Sequence, residues 1–271
     1  MITVNGFNVK VSTFPDRTPC LRVLNTPDPV IVWKYKDMGE VFDLYCVRTK
    51  INELGLTAPK LKITYLPCAR QDKSIDPYEC VTVKTLNKMI NRLDFKSVEV
   101  LDPHSATSMM IRDGKAVLPT EYIKWAIKES GAEVLFFPDI GAKNRYASIV
   151  DELGLPYTYG RKTRDYAART VTAVEIDEPD KIKGKKVLIV DDICSKGSTF
   201  TKASNSLFTS GAADVALYVT HCEPKILAGE VLDIMDVYAT DSLSELWDGD
   251  MLRGMDRHQV DYTLNMKEVE L

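Results

Sequence analysis

Short apolar runs alternate with longer stretches of helical periodicity along most of the chain. Runs of four or five apolar residues predict strands that are buried on both faces, whereas apolar residues three or four positions apart predict helices that bury one face. The predicted strands are residues 63–66, 98–101, 134–137, 187–190 and 215–219. The predicted helices are residues 81–93, 121–130, 142–153 and 200–210.

This alternation predicts an α/β fold. Strands that are apolar on both faces and separated by helices are typical of a mainly parallel sheet with helices on both sides. The chain has 271 residues, enough for two modest domains or one large domain at about 150 residues per domain. Because such sheets bind ligands at the carboxyl ends of their strands, polar residues that follow a predicted strand are the first candidates for a functional site.

The composition supports a folded protein and argues against some classes of partner. The sequence is 45% hydrophobic and 27% charged, with 14 Gly and 13 Pro, which excludes disordered and collagen-like chains. Lys and Arg number 35 against 39 Asp and Glu, so the formal net charge is −4. A nonspecific nucleic-acid binder needs a basic excess, and we therefore expect no nucleic-acid partner.

The sequence also predicts a cytoplasmic protein that does not enter a membrane. No apolar run approaches the ~20 residues that span a bilayer, and the first residues lack the basic and apolar regions of a signal peptide. The six cysteines are far apart and form no CxxC pair. This spacing indicates neither a metal knuckle nor a disulfide framework.

The sharpest cluster of polar residues follows the predicted strand 187–190, in the segment VLIVDDICSKGST. Asp191 and Asp192 come first; since adjacent carboxylates repel each other, they need solvent, a metal ion or hydroxyl donors such as a ribose diol. A small polar turn then precedes a predicted helix, and backbone N–H groups in such a turn form an anion site. The turn residues are Ser195, Lys196, Gly197, Ser198 and Thr199. The GxxxxGK[ST] pattern of a Walker A loop is absent.

This segment resembles the loop that phosphoribosyltransferases share with ribose-phosphate pyrophosphokinases. Three further segments resemble the second family: LPCARQDK at 66–73 is similar to its ATP-binding stretch, LDPHS at 101–105 to its metal and ATP segment, and FPDIG at 137–141 to a third motif. Phosphoribosyltransferases have the Asp-Asp loop but lack ARQD. The motifs occur in the family's order, and the resemblance extends from about residue 14 to residue 241.

The resemblance implies two tandem phosphoribosyltransferase-like domains, each a mainly parallel sheet flanked by helices. Residues 1–130 would carry the ATP-binding segments, and residues 131–271 the catalytic loop and the ribose-phosphate loop. The implied reaction is a Mg²⁺-dependent transfer of the β,γ-diphosphoryl group of ATP to the 1-hydroxyl of ribose 5-phosphate. The implied products are 5-phosphoribosyl 1-diphosphate and AMP.

The resemblance also implies a role for individual residues. The ATP contacts would be Phe14, Asp16, Arg70, Gln71 and His104, with His104 and Asp139 holding Mg²⁺ together with the phosphates. Lys162 and Arg164, with Arg169 as a weaker candidate, would act as the cations of a catalytic loop, where fixed charges stabilise the transferring group. Asp191, Asp192 and residues 195–199 would bind the ribose phosphate. The family implies a homo-oligomer, a dimer or a hexamer, in which Phe14 reaches the neighbouring subunit's nucleotide.

The sequence departs from the family pattern at two places that keep alternatives open. The family's F-x-[DN]-G-E has Arg17 and Thr18 in place of its Gly and Glu, and the family's first strand, turn and helix are missing or reduced. Lys196 adds a charge that a monophosphate does not require, so a 5′-substituted ribose such as ADP-ribose is an alternative acceptor. A phosphoribosyltransferase and a non-catalytic regulatory paralogue are further alternatives.

Overall fold

The computed structural model describes residues 1–165, 170–243 and 263–264, with the backbone alone at residues 11, 162–165, 170–174 and 263–264. The strands are β1 (Ile2–Val4), β2 (Phe7–Asn8), β3 (Lys10–Thr13), β4 (Pro19–Leu21), β5 (Val30–Trp33), β6 (Lys60–Ile63), β7 (Ser97–Leu101), β8 (Gly114–Val117), β9 (Val134–Phe137), β10 (Tyr157–Asp165), β11 (Thr170–Ile176), β12 (Lys186–Cys194), β13 (Asp214–Cys222), β14 (Val237–Thr240) and β15 (Thr263–Leu264). The α-helices are α1 (Gly39–Glu53), α2 (Thr82–Arg92), α3 (Thr120–Ser130), α4 (Ile140–Tyr146), α5 (Val150–Leu153), α6 (Ser198–Thr209) and α7 (Val231–Ile234).

The chain divides into two compact units, and the main part of the first is Met1–Val117. Its sheet has the order β2-β1-β5-β6-β7-β8. Strands β5 to β8 are parallel, whereas β1 and β2 form an antiparallel edge. Strands β3 and β4 make a separate hairpin. The parallel strands place the segments that follow β6 and β7 at the same edge of this sheet.

Helices α1 and α2 bury their apolar faces against the first sheet. Side chains that recur three or four positions apart form these faces, as the period of a helix requires. In α1 they are Val41, Leu44, Val47 and Ile51, and in α2 they are Val83, Leu86 and Ile90. Burying one such side chain contributes about 1.5–3 kcal/mol. The helices therefore fix the sheet whose strand ends carry the first group of candidate residues.

The main part of the second unit is Leu118–Asp241. Its sheet has the order β11-β10-β9-β12-β13-β14-β15, in which only β11 is antiparallel to its neighbour. The central strand β9 is buried along its whole length. Together with the first sheet, this arrangement confirms the α/β fold of mainly parallel sheets flanked by helices.

The division between the units falls before α3, whereas the sequence-based boundary lies at residue 130. Helix α3 buries Tyr122, Ile123 and Ala126 and packs against β12 and β13. Trp125 adds an edge-to-face contact with Tyr238 of β14, at 5.5 Å between ring centroids. Because its apolar face is covered by the second sheet, α3 belongs to the second unit.

Two predicted elements differ from the structure. The strand expected at 63–66 lies at Lys60–Ile63, where alternate residues Leu61 and Ile63 are buried. The single helix expected at 142–153 is divided into α4 and α5. A turn in which Ile149 N donates to Tyr146 O separates them, and it allows both Tyr146 and Ile149 to be buried.

Two observations concern the expectations about membranes and disulfides. Within the part of the chain that the structure describes, no helix is both long enough and apolar enough to cross a membrane. All six cysteines are free thiols.

Candidate active site

The two adjacent aspartates lie inside a strand rather than after it. Strand β12 continues to Cys194, and its ladder with the neighbouring strand pairs Asp191 with Val219. Asp192 is buried, and Asp191 is partly exposed. The hydrogen bonds of the ladder therefore fix the backbone of both carboxylates.

Arg145 of α4 neutralises part of this charge, and the sequence analysis did not identify it. Its Nη1 lies 2.5 Å from Asp192 Oδ1 and 3.2 Å from Asp191 Oδ1. Burial and the neighbouring Asp192 carboxylate raise the pKa of Asp191 well above its usual range, and Arg145 opposes this shift. Arg145 could have been identified from its place in the helix that directly follows β9, because β9 is the neighbour of β12 in the sheet.

The turn after β12 leads directly into α6. Gly197 caps this helix with φ +80°, a left-handed conformation that glycine adopts without steric cost. Its carbonyl accepts hydrogen bonds from the amides of Phe200 and Thr201, both at 2.9 Å. The first N–H groups of a helix have no partner within the helix, so the amides and hydroxyls of Ser198 and Thr199 lie where an anion binds.

A second glycine allows another segment to pack closely on this turn. A Cβ atom added to Gly229 would lie 1.9 Å from the carbonyl oxygen of Lys196. A Cβ atom added to Gly197 would lie 2.7 Å from Val231. The turn is therefore held from behind by residues 229–231, which the sequence analysis did not identify.

Asp139 follows β9, at the same edge of the second sheet as the turn after β12. Its Oδ1 accepts a hydrogen bond from the amide of Ala142 at 2.9 Å and caps α4. The side chain is partly exposed. The same short helix thus begins at Asp139 and carries Arg145 near its end.

The predicted catalytic cations lie on a hairpin. The backbone positions of Lys162 and Arg164 are in β10, which pairs antiparallel with β11. Lys162 is opposite Val174, and the register shifts between Thr163 and Arg164. The charged segment expected after residue 156 is therefore a two-stranded arm, while the two cationic side chains, and all of Arg169, lie outside the described part of the chain.

Arg70 and Gln71 of the first unit follow β6, and Gln71 supports a loop. Its Nε2 donates to Glu79 Oε1 at 3.0 Å, and its Oε1 accepts from Thr82 Oγ1 at 3.0 Å. Glu79 Oε2 in turn accepts the amide of Ile75 at 3.0 Å. These bonds brace residues 71–82, and Arg70 is exposed beside them.

His104 follows β7, the neighbour of β6. The preceding Asp102 is buried with φ +41°, and its amide donates to Val117 O at 2.8 Å. His104 is partly exposed, and the side chain of Ser105 caps the turn of 3₁₀ helix at Ala106–Met109. The strained turn at Asp102 therefore fixes where His104 leaves the strand.

Phe14 and Asp16 lie at the tip of the β3–β4 hairpin. Asp16 Oδ1 accepts the amide of Thr18 at 3.0 Å and its hydroxyl at 2.7 Å, and these hydrogen bonds lower the pKa of Asp16. The amide of Phe14 donates to Thr18 O at 2.9 Å. This closed turn leaves the Phe14 side chain exposed.

Comparison with known proteins assigns the family. Residues 120–251 match the model of the phosphoribosyl transferase domain. The ribose-phosphate pyrophosphokinase of Pyrococcus furiosus is 32% identical over 221 residues, which cover 79% of this chain and 77% of that relative. The chain belongs to the ribose-phosphate pyrophosphokinase family. Another member, from Pyrococcus abyssi, is 31% identical over 224 residues, 80% of this chain and 77% of its own.

Membership of the ribose-phosphate pyrophosphokinase family confirms the resemblance drawn from the motifs and the class of enzyme that it implied. A crystal structure of phosphoribosylpyrophosphate synthetase from Mycobacterium smegmatis has the same fold, with a TM-score of 0.71 at 18% identity. That match covers 96% of this chain and 87% of the other. The similarity to family members extends well beyond residues 120–251, which argues against a phosphoribosyltransferase of a single domain.

We predict that Gly229→Ala disturbs the turn at residues 195–199. Gly229 has φ −111°, which alanine adopts freely, so the conflict comes from the Lys196 carbonyl alone. Relieving it requires a backbone shift, and overpacking of this kind costs about 1–3 kcal/mol. Denaturant unfolding should show this loss, and hydrogen exchange at residues 195–201 should become faster.

Gly154→Ala is the matched control in the same unit. Gly154 has φ +71°, and a Cβ atom there meets nothing within 4 Å, so alanine costs only backbone strain, about 1–2 kcal/mol. Exchange at residues 195–201 should stay unchanged in this variant. Equal exchange in wild type and Gly229→Ala would contradict the role given to Gly229.

Proposed function

We propose that this protein transfers the β,γ-diphosphoryl group of ATP to the 1-hydroxyl of ribose 5-phosphate, giving 5-phosphoribosyl 1-diphosphate and AMP. The observation that carries the proposal is the order of groups along β12 and α6: two carboxyl groups that share Arg145, followed by a turn whose amides and hydroxyls lie at the start of a helix. A ribose phosphate has the complementary groups, a diol and a phosphate. The family membership supports the same substrate.

The second unit offers the groups that would hold the ribose phosphate. Asp191 and Asp192 would accept hydrogen bonds from the sugar hydroxyls, and bonds to charged acceptors are stronger than neutral ones. The amides and hydroxyls of residues 195–199 would hold the 5′-phosphate at the start of α6. This arrangement would fix the sugar from both ends and orient its anomeric hydroxyl.

Mg²⁺ fits the donor atoms that are present. No group of three His, Cys, Asp or Glu side chains able to hold a metal occurs among the described residues. Mg²⁺ is typically bound by one or two carboxylates and completes its shell with phosphates and water, so the Asp139 carboxylate fits as a ligand in the second unit, and His104 is the residue proposed on the metal side of the first unit. The ion would neutralise charge on the phosphates.

The remaining proposed roles concern ATP and charge stabilisation. Lys162 and Arg164, on the β10–β11 arm, would stabilise the charge that develops on the transferring group. Arg70, His104 and Asp16 would contact ATP, while Gln71, whose amide is already engaged by Glu79 and Thr82, would act by bracing the loop beside Arg70.

A homo-oligomer in the cytoplasm fits these roles. Phe14 is 55% exposed on a closed hairpin tip, which suits contact with a neighbouring subunit's nucleotide in a dimer or a hexamer. Free thiols at all six cysteines suit the cytoplasm, where disulfides are rare.

A second candidate acceptor is a 5′-substituted ribose such as ADP-ribose. Lys196 is exposed, and its ammonium group makes no hydrogen bond or ion pair within the part of the chain that the structure describes. A flexible point charge of this kind can follow a second phosphate. The exposed Lys196 therefore favours a different acceptor, while the transfer of the diphosphoryl group stays the same.

We predict AMP, and no ADP, as the nucleotide product. The protein is incubated with ATP and Mg²⁺ and with either ribose 5-phosphate or ADP-ribose, and the products are identified by chromatography and mass spectrometry. AMP should form in equal amount to the sugar diphosphate. ADP as the stoichiometric product would overturn the proposed transfer, and no turnover of either acceptor would favour the regulatory paralogue.

We predict that Lys162→Ala and Arg164→Ala each lower kcat by at least ~10²-fold, the scale for one lost transition-state charge donor. ATP binding, measured by calorimetry, should be retained. Lys183→Ala is the control, because Lys183 pairs with Asp180 on an exposed surface. Turnover of both variants within about threefold of wild type would refute the catalytic role of the arm.

We predict that Lys196→Thr discriminates between the acceptors. If the acceptor carries a 5′-diphosphate, losing one charge-assisted hydrogen bond of about 1.5–3 kcal/mol should raise its KM by roughly 10- to 100-fold. The KM for ribose 5-phosphate should change far less. Lys183→Thr again serves as the control, and equally small effects on both acceptors would leave ribose 5-phosphate as the substrate.

A further inference from the structure

The ion pairs around the Asp191–Asp192 pair are unequal. Arg145 is 13% exposed, and its Nη1 contacts Asp192, 4% exposed, at 2.5 Å. The same nitrogen contacts Asp191, 18% exposed, at 3.2 Å. One guanidinium group therefore serves two carboxyl groups, and its contact with Asp192 is the shorter one.

The oxygens of Asp191 are also used unequally. Its Oδ1 accepts from Arg145 at 3.2 Å and from the amide of Asp192 at 2.9 Å. Neither of these bonds uses its Oδ2. A carboxylate held by two bonds at one oxygen is oriented and is still able to accept a hydrogen bond from a ligand.

Aromatic packing holds Arg145 in contact with the two carboxyl groups. The guanidinium carbon lies 5.8 Å from the ring centroid of Tyr146. Tyr146 is fully buried and stacks on Phe137 at 5.9 Å between ring centroids. The residue is therefore anchored through α4 to β9, the neighbour of β12.

We propose that Arg145 is a positioning residue for the sugar site: it holds the two carboxylates in the orientation in which they accept hydrogen bonds from the hydroxyls of the ribose phosphate. This inference rests on the proposed function and deepens it. Without Arg145, the adjacent carboxylates repel each other, and they turn apart or take up a proton. Either change removes acceptors for the sugar, whereas the groups that contact ATP stay as they are.

Steady-state kinetics of Arg145→Met and Arg145→Lys test this role. We expect Arg145→Met to raise the KM for ribose 5-phosphate by about 10- to 100-fold, the scale of one charged hydrogen bond, with the KM for ATP changed by less than about threefold. Arg145→Lys restores the charge but not the planar group, so an intermediate KM is expected. A purely structural role would instead lower the amount of active enzyme and leave both KM values unchanged.

Arg112→Met is the matched control, because Arg112 pairs with Asp94 on an exposed surface of the first unit. Its KM values should equal those of wild type. Equal rises in both KM values of Arg145→Met, or an unchanged KM for ribose 5-phosphate, would overturn the proposal. If Arg145→Met does not fold, Arg145→Lys decides, and a wild-type KM in that variant is the contrary result.

Calorimetric binding separates this inference from the proposed reaction. If wild type binds ribose 5-phosphate but makes no AMP, the proposed reaction fails, and weaker binding by Arg145→Met still supports the positioning role. If wild type makes AMP and Arg145→Met binds ribose 5-phosphate as tightly as wild type, the positioning role fails alone. If wild type neither binds nor turns over a ribose phosphate, both are wrong.

Discussion

Two adjacent carboxylates in a largely buried strand need a counter-charge, and Arg145 supplies it to Asp191 and Asp192. Taking a charge out of water costs several kcal/mol, and removing one partner of a buried pair costs about 3–5 kcal/mol. The counter-charge reaches both acids because α4 follows β9, which pairs directly with β12. The strand order of the second sheet is thus a requirement of the site as well as of the core.

Close packing of the backbone fixes the turn after β12. Gly197 takes a left-handed conformation against Val231, and Gly229 lets its segment approach the Lys196 carbonyl more closely than any side chain would allow. A turn that is packed from behind holds its amides in place before an anion arrives, so less ordering remains to be done on binding. The acid pair and the turn are therefore rigid for separate reasons, one electrostatic and one steric.

The sequence predicted the parts of this arrangement that depend on local patterns. Apolar runs located β7, β9, β12 and β13, and the segment VLIVDDICSKGST was recognisable because strand, acids and turn are consecutive. Arg145 was not predicted, because its partner Asp191 is 46 residues away in the sequence. Gly229 was not predicted either, because no periodicity in the sequence indicates its close approach to the Lys196 carbonyl. The small strands β1 and β2 were missed as well, because β2 has only two residues, both exposed, and β1 has only three residues.

One residue of the ARQD motif in the first unit has local contacts that the motif does not predict. The motif resembles an ATP-binding segment, so Gln71 is expected to contact ATP. The amide of Gln71 is bonded to Glu79 and Thr82, and these two bonds use one of its two N–H donors and one lone pair of its oxygen. Arg70 is exposed beside the same braced loop and carries a charge suited to phosphates. Gln71 therefore holds the shape of the loop beside which Arg70 is exposed.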